Sequence, residues 1–209
     1  MAHTQYVDKD DLKAYMGITG SGQDNNIDNA IDGACRQIDK ITGRRFYQDE
    51  SVAVRTYTPV NAFILDVDDI STATGLIVKL DDNDDGTHET TLTINTDFIL
   101  NPTNPDLIKE TGGTSYYAPY QQIRILDSRS SERFDPTIIN NVQVTAKFGY
   151  SFVPEAIKQA TLIQALRLFK RKDAPFNILG NEQTGQIELF NKFDPDAREL
   201  IKGYIKNKL

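Results

Sequence analysis

Two histidines, one cysteine and thirty acidic side chains are the chemical resources of this 209-residue chain. His3 lies near the start of the sequence and His88 in an acidic turn. No serine–histidine–aspartate, cysteine–histidine or histidine–metal arrangement can be built from them. Cys35 stands alone, so no intramolecular disulfide can form. It falls on the apolar face of an expected helix, where a cysteine behaves as a small buried hydrophobe. Among the carboxylates no pair stands apart from the rest as an acid and its base. The expectation is a non-enzymatic protein with no cofactor and no resident metal.

Three patterns offer binding chemistry. In Asp81-Asp82-Asn83-Asp84-Asp85-Gly86, oxygen ligands alternate at Asp81, Asn83 and Asp85, and glycine takes the sixth place, as at the start of a calcium loop. The twelfth place, where that loop needs a bidentate glutamate, is Leu92. Its flanks look like strands instead of helices, so a hairpin turn built on Asp85-Gly86 is the favoured reading. A weak calcium turn is the alternative, since crowded carboxylates repel one another until a cation arrives. The second pattern, Arg167 to Lys172, could face nucleic acid, but cations at the end of a helix also answer the helix dipole. The third is Tyr116-Tyr117-Ala118-Pro119-Tyr120, suited either to an interface or to the rim of a sheet.

The elements that must carry these patterns follow from periodicity. Asp8, Asp10 and Asp11 crowd the first turn of a short helix with Leu12, Tyr15 and Met16 on its apolar face, ended by Gly17. Ile27, Ala30, Ile31, Ala34, Ile38 and Ile41 define a longer helix, capped by Asp24 or Asn25 and closed at Gly43. From about residue 50 to 149 short alternating runs bounded by Asp, Asn, Gly or Pro predict antiparallel strands in a small sandwich or barrel. Asn101 to Pro119 is expected to be a long exposed loop. After Pro154, Ile157 to Phe169 is apolar over more than one face, the mark of a central helix. Asn177 to Gly185 is expected to be a loop. Asp194-Pro195 opens a last helix with Leu200, Ile201, Tyr204 and Ile205 as its apolar stripe. The fold class is therefore α+β. Residues 1–49 and 150–209 form a bundle of about four helices, with 194–209 as a partner-binding tail, and 50–149 form a β-rich insertion.

Composition narrows the partners. Hydrophobic residues are 39% and charged residues 25%, enough apolar material for a core. The net charge is -7 and the sequence pI about 4.9, opposite to the basic faces that grip duplex DNA. An acidic wall beside DNA suits passage more than clamping. No apolar run approaches the ~18 residues of a membrane span. The opening residues lack the apolar centre of a secretory signal, so synthesis and folding in a cytoplasm are expected.

Several segments resemble the head-tail connector (adaptor, head completion) proteins of tailed bacteriophages. Tyr6-Val7-Asp8 through Leu12-Lys13-Ala14-Tyr15-Met16-Gly17-Ile18 is similar to their opening. Ile31 to Asp39 with Thr42-Gly43-Arg44-Arg45-Phe46 resembles their second helix and its exit. Phe148-Gly149-Tyr150, Val153 to Ala160 and Arg171 to Phe176 resemble their third helix and its flanks. The resemblance implies a structural virion protein at the neck, made in the host cytoplasm and without membrane contact. Such proteins form a homo-oligomeric ring, commonly of twelve subunits, beneath the portal protein. The ring extends the channel through which DNA merely passes and supports a downstream connector or tail protein. It also implies that the C-terminal segment docks on the portal, through Arg198, Leu200, Ile201, Tyr204 and Ile205. That segment would then be dispensable for folding. A tail terminator or another neck protein is the alternative from the same world, and a calcium-dependent module the alternative from outside it.

Overall fold

Reciprocal capping starts the first helix, α1 (Lys9–Met16). The Asp8 carboxylate accepts the Asp11 N–H at 2.8 Å, and the Asp11 carboxylate accepts the Asp8 N–H at 3.4 Å. Gly17 ends it in the left-handed conformation that only glycine adopts freely. The computed structural model describes residues 5–172, 178–179, 187–188 and 193–206.

Helix α2 (Asp24–Thr42) buries Ile27, Ala30, Ile31, Ala34, Cys35 and Ile38 along one stripe, and Gly43 closes it. Its cap differs from the expectation. Gln23 takes the N-cap position without a side-chain bond, and Asp24 is already helical. The Asp24 carboxylate is drawn instead to Lys13 at 2.5 Å and Lys9 at 3.4 Å, which pins α1 to the first turn of α2. Helix α3 (Glu155–Arg171) buries Ile157, Ala160, Leu162, Ala165 and Phe169. Helix α4 (Pro195–Ile201) is capped by Asp194, which accepts the N–H groups of Asp196 and Ala197 at 2.9 and 3.3 Å. A single 3-10 turn, Lys202–Tyr204, follows. Helix α3 packs on α2, on α4 and on α1. Together these helices belong to one compact unit, Met1–Phe46 with Val153–Leu209.

The second unit is Tyr47–Phe152. Its strands are β1 (Ala53–Tyr57), β2 (Ile64–Ile70), β3 (Ile77–Leu80), β4 (Thr90–Leu92), β5 (Phe98–Asn101), β6 (Leu107–Thr111), β7 (Thr114–Tyr117), β8 (Tyr120–Ile125) and β9 (Val142–Ala146). One antiparallel sheet has the order β1-β9-β3-β4 and another the order β2-β8-β5. Alternate residues of both sheets turn inward to one shared core. Leu65 and Val67 of β2 and Ile123 and Ile125 of β8 meet Val78 and Leu80 of β3 and Val142 and Val144 of β9. That is sandwich packing, and it follows from the period of two in the sequence. Among the described residues, the inserted antiparallel sheets and four helices make the chain α+β, as the sequence predicts.

Two segments depart from expectation. Leu107 to Tyr117 is not a loop: β6 and β7 pair as an antiparallel hairpin across Gly112-Gly113. Polar side chains on both faces hid its period. The expected loop Asn177 to Gly185 lies mostly outside the described residues. Within it Ile178–Leu179 forms β10, paired antiparallel with β11 (Ile187–Glu188).

Candidate functional site

The acidic loop is organised by its own first carboxylate. Asp81 is 2% exposed. Its Oδ1 accepts the N–H groups of Asn83, Asp84 and Asp85 at 3.3, 2.8 and 3.3 Å, and its Oδ2 accepts that of Gly86 at 2.9 Å. Asp84 and Gly86 take positive φ to aim those donors inward. The backbone of Asp81 is tied to Asn141, which is itself buried. A carboxylate that spends its lone pairs on four amides is a turn nucleus, with backbone dipoles where a cation would otherwise sit. Hydrogen bonds from Thr87 hold the exposed Asp85 carboxyl below its usual range. Asn83 donates to Asp85 at 3.2 Å. The segment is the connection of the antiparallel pair β3–β4. Among the described residues no group of three or more His, Cys, Asp or Glu is placed to hold a metal ion.

The helical unit carries a polar chain that ties three helices together. Gln164 of α3 is 2% exposed. It donates to Gln37 of α2 at 2.6 Å and accepts from the backbone N–H of Asp194 at 3.0 Å. Arg167 of α3 then pairs with the Asp194 carboxylate at 3.0 Å. Sequence reasoning passed over Gln164. The signal was present, because Gln164 continues the buried stripe of Ile157 and Ala160 at helical spacing, where a polar side chain must find partners. The run Arg167 to Lys172 is partly absorbed by this geometry: Arg167 serves Asp194, and Lys172 lies 4.9 Å from the Phe169 ring.

The five residues expected to form one portal-facing stripe are divided. Ile201 is wholly buried in its own unit, as is Ala197 one turn earlier. Tyr204 is half-buried and stacks edge-on against Phe46, with ring centroids 5.6 Å apart. Burial raises its hydroxyl pKa. Arg198, Leu200 and Ile205 face outward. The reason is geometric: in a seven-residue helix, Ala197 and Ile201, one turn apart, define the inner face, and Leu200 falls outside it. Because α4 caps and closes the bundle, cutting the chain before it would open a core, contrary to the expectation of a dispensable tail.

Phe46 also meets Tyr6 edge-on, with ring centroids 5.6 Å apart. The Tyr6 hydroxyl donates to the Asp39 carboxylate and accepts the Phe46 N–H at 3.1 Å. Burial raises the Asp39 pKa, while Tyr6 and Arg36 oppose that shift. Cys35 is buried as expected, its thiol pushed up to about 11 by that burial. In the other unit the tyrosine cluster is split. Tyr116 packs on Phe152 at 5.2 Å, Tyr117 is exposed, and Tyr120 lies against the sandwich core.

No family model matches the sequence, and no curated protein does. A solved structure shares the fold: "Neck of empty GTA particle computed with C6 symmetry". The match covers 98% of this chain and 91% of that one, at 11% identity and a TM-score of 0.53. Helical unit and β insertion are therefore both included in the likeness. Among the described residues no helix is long and apolar enough to cross a membrane.

Proposed function

We propose that this chain is a non-enzymatic structural subunit of the neck of a tailed-phage-like particle. One copy among several forms a ring beneath the portal, extends the DNA channel and supports the next connector or tail protein. The observation that carries this reading is the near end-to-end fold likeness to a chain of a GTA particle neck. The C6 symmetry of that neck is compatible with a ring of six or of twelve. The order of motifs that resembles head-tail connectors points the same way from the sequence alone.

In this reading the helical segments, 1–49 and 150–209, do the assembling. Arg198, Leu200 and Ile205 are the outward-facing members of the C-terminal segment and the residues left to meet the portal. Ile201 and Tyr204 support them from within. Acidity keeps the channel wall from holding DNA. The test is to mix the purified chain with a portal ring and image it by electron microscopy. Decorated portals are expected, and a portal left bare at saturating concentration would overturn the proposal. Replacing Leu200 and Ile205 together by Asp should leave the fold intact, since both are more than a third exposed. Portal affinity should fall at least about tenfold, the scale of losing a desolvated apolar contact.

A further inference from the structure

The register of the two sheets gathers four connections at one end of the sandwich. Tyr57 and Leu80 both stand opposite Val142, and Thr90 stands opposite Leu80. In the other sheet Ile64 pairs with Arg124 and Phe98 with Ile125. Segments 58–63, 81–89, 93–97 and 126–141 therefore leave the strands on the same side. The unit begins at Tyr47 and ends at Phe152, beyond the opposite ends of β1 and β9.

These connections are bonded to one another. The Asn140 N–H donates to Thr58 Oγ1 at 2.9 Å and the Phe134 N–H to the Ala62 carbonyl at 3.1 Å, which joins 126–141 to 58–63. On its other side Asn141 exchanges hydrogen bonds with the Asp81 backbone at 2.7 and 2.8 Å, and His88 Nε2 meets the Asn140 carbonyl at 3.0 Å. A surface held in this way gives up little conformational freedom when a partner docks on it.

Two apolar side chains crown this end. Val60 is 79% and Ile139 76% exposed, the highest values for large apolar side chains among the described residues. A single exposed valine or isoleucine needs no explanation. Here both stand within two residues of the bond between Asn140 and Thr58. Phe63, in the same connection as Val60, is 40% exposed beside the Arg133 guanidinium.

The sign of the charge selects the partner. The four connections hold nine acidic side chains against two arginines. Arg133 pairs with Asp127, and Arg129 donates to the Asn95 carbonyl at 3.3 Å. Part of the acidity is spent locally: Asp97 accepts from Ser130 and from the Thr93 N–H, and Asp135 accepts from Thr137. Asp82, Asp84, Asp85 and Glu89 are exposed together on the connection that meets Asn140. Apolar tips flanked by cations would suit an anionic bilayer. Flanked by carboxylates, they repel both lipid headgroups and nucleic acid and attract cations.

We propose that this end of the sandwich docks a basic amphipathic segment of another protein. Its apolar face covers Val60 and Ile139, and its lysines or arginines meet the acidic connection 81–89. Apolar contact at the centre supplies affinity, while the surrounding charge sets approach and orientation. This docking does not depend on the neck reading, and a portal left bare would not touch it.

The test follows methyl NMR signals of the full-length protein with three synthetic peptides of equal length as probes. One is built of lysine and leucine, one of lysine and serine, and one of glutamate and leucine. The lysine–leucine peptide is expected to shift the Val60 and Ile139 methyl signals at about 50 mM salt and to bind more weakly at about 500 mM, where screening shortens from roughly 14 to 4 Å. Val60→Ser with Ile139→Ser should bind it at least about tenfold more weakly. Asp84→Asn with Glu89→Lys should bind it at least about threefold more weakly, with a shallower salt dependence. All four positions are exposed, and asparagine tolerates the positive φ of Asp84. Equal binding of the lysine–serine peptide would reduce the surface to charge alone, and equal binding of the glutamate–leucine peptide would remove its selection of sign. Either result overturns the proposal, as do shifts confined to other residues or full binding by Val60→Ser with Ile139→Ser. Retention on phosphatidylserine vesicles that requires Val60 and Ile139 would assign this end to a lipid surface and overturn it as well.

Discussion

Gly149 holds φ at +97°, and a β-carbon built on it would sit 1.8 Å from the carbonyl oxygen of Tyr47. No side-chain rotation relieves a clash with backbone. The neighbouring bonds, Asp49 N–H to Phe148 O at 2.8 Å and Tyr150 N–H to Tyr47 O at 3.3 Å, would have to open. Gly149→Ala should therefore destabilise by about 3 kcal/mol or more in urea unfolding. Gly22→Ala, with nothing within 4 Å of the new carbon, should change stability by less than about 0.5 kcal/mol. Cys35 gives a pH-dependent prediction. Its thiol is raised from 9.0 to about 11, so the folded state keeps a proton that the unfolded chain releases first. The stabilising contribution is complete below pH 9 and is lost as pH rises through about 11. Relative to Cys35→Ala, the wild type should lose up to about 3 kcal/mol of its advantage across that window. Paired unfolding curves at several pH values would show it.

At the scale of elements, what was legible in the sequence depended on which period governed burial. Helix α2 was plain because Ile27, Ile31 and Ile38 repeat at helical spacing, and all three are fully buried. Strands β3 and β9 were plain because Val78, Leu80, Val142 and Val144 alternate with polar residues. The β6–β7 hairpin was missed because neither of its faces is apolar; a turn at Gly112-Gly113 and backbone pairing hold it. The acidic loop was legible as a turn from Asp85-Gly86, but the role of Asp81 as acceptor for four amides depends on the backbone conformation at Asp84 and Gly86, which spacing does not reveal. The stripe on α4 was misjudged because spacing alone does not say which of Leu200 and Ile201 turns inward. Gln164 was overlooked as one polar letter in an apolar run, although it binds α2, α3 and the cap of α4. Gln164→Leu should cost about 1–3 kcal/mol, since it leaves the Asp194 N–H and Gln37 without that partner. Limited proteolysis should then cut near residue 194 sooner than in wild type. Ile38→Ala should cost about 2–5 kcal/mol for the cavity between α2 and its neighbours, measured by denaturant unfolding. A loss under about 1 kcal/mol would mean that this stripe is not the centre of the bundle.

For the molecule as a whole, the net charge of -7 sets the terms with DNA. Duplex DNA should show no binding by fluorescence anisotropy near physiological salt, where non-specific affinity depends on the number of phosphates neutralised. Tight binding would mean that a local group of cations outweighs the net charge. The path of the chain has a different consequence. At Tyr47 it leaves the helical unit and at Phe152 it returns. Just inside those points Gln48 is bridged to Gly149, and Tyr150 to Tyr47. The first and last residues of the inserted unit therefore lie side by side within it. Such an arrangement lets a lineage lengthen, shorten or exchange the inserted module while the helices keep their register. Among distant relatives, the helices should stay recognisable long after the cargo between them has changed beyond alignment.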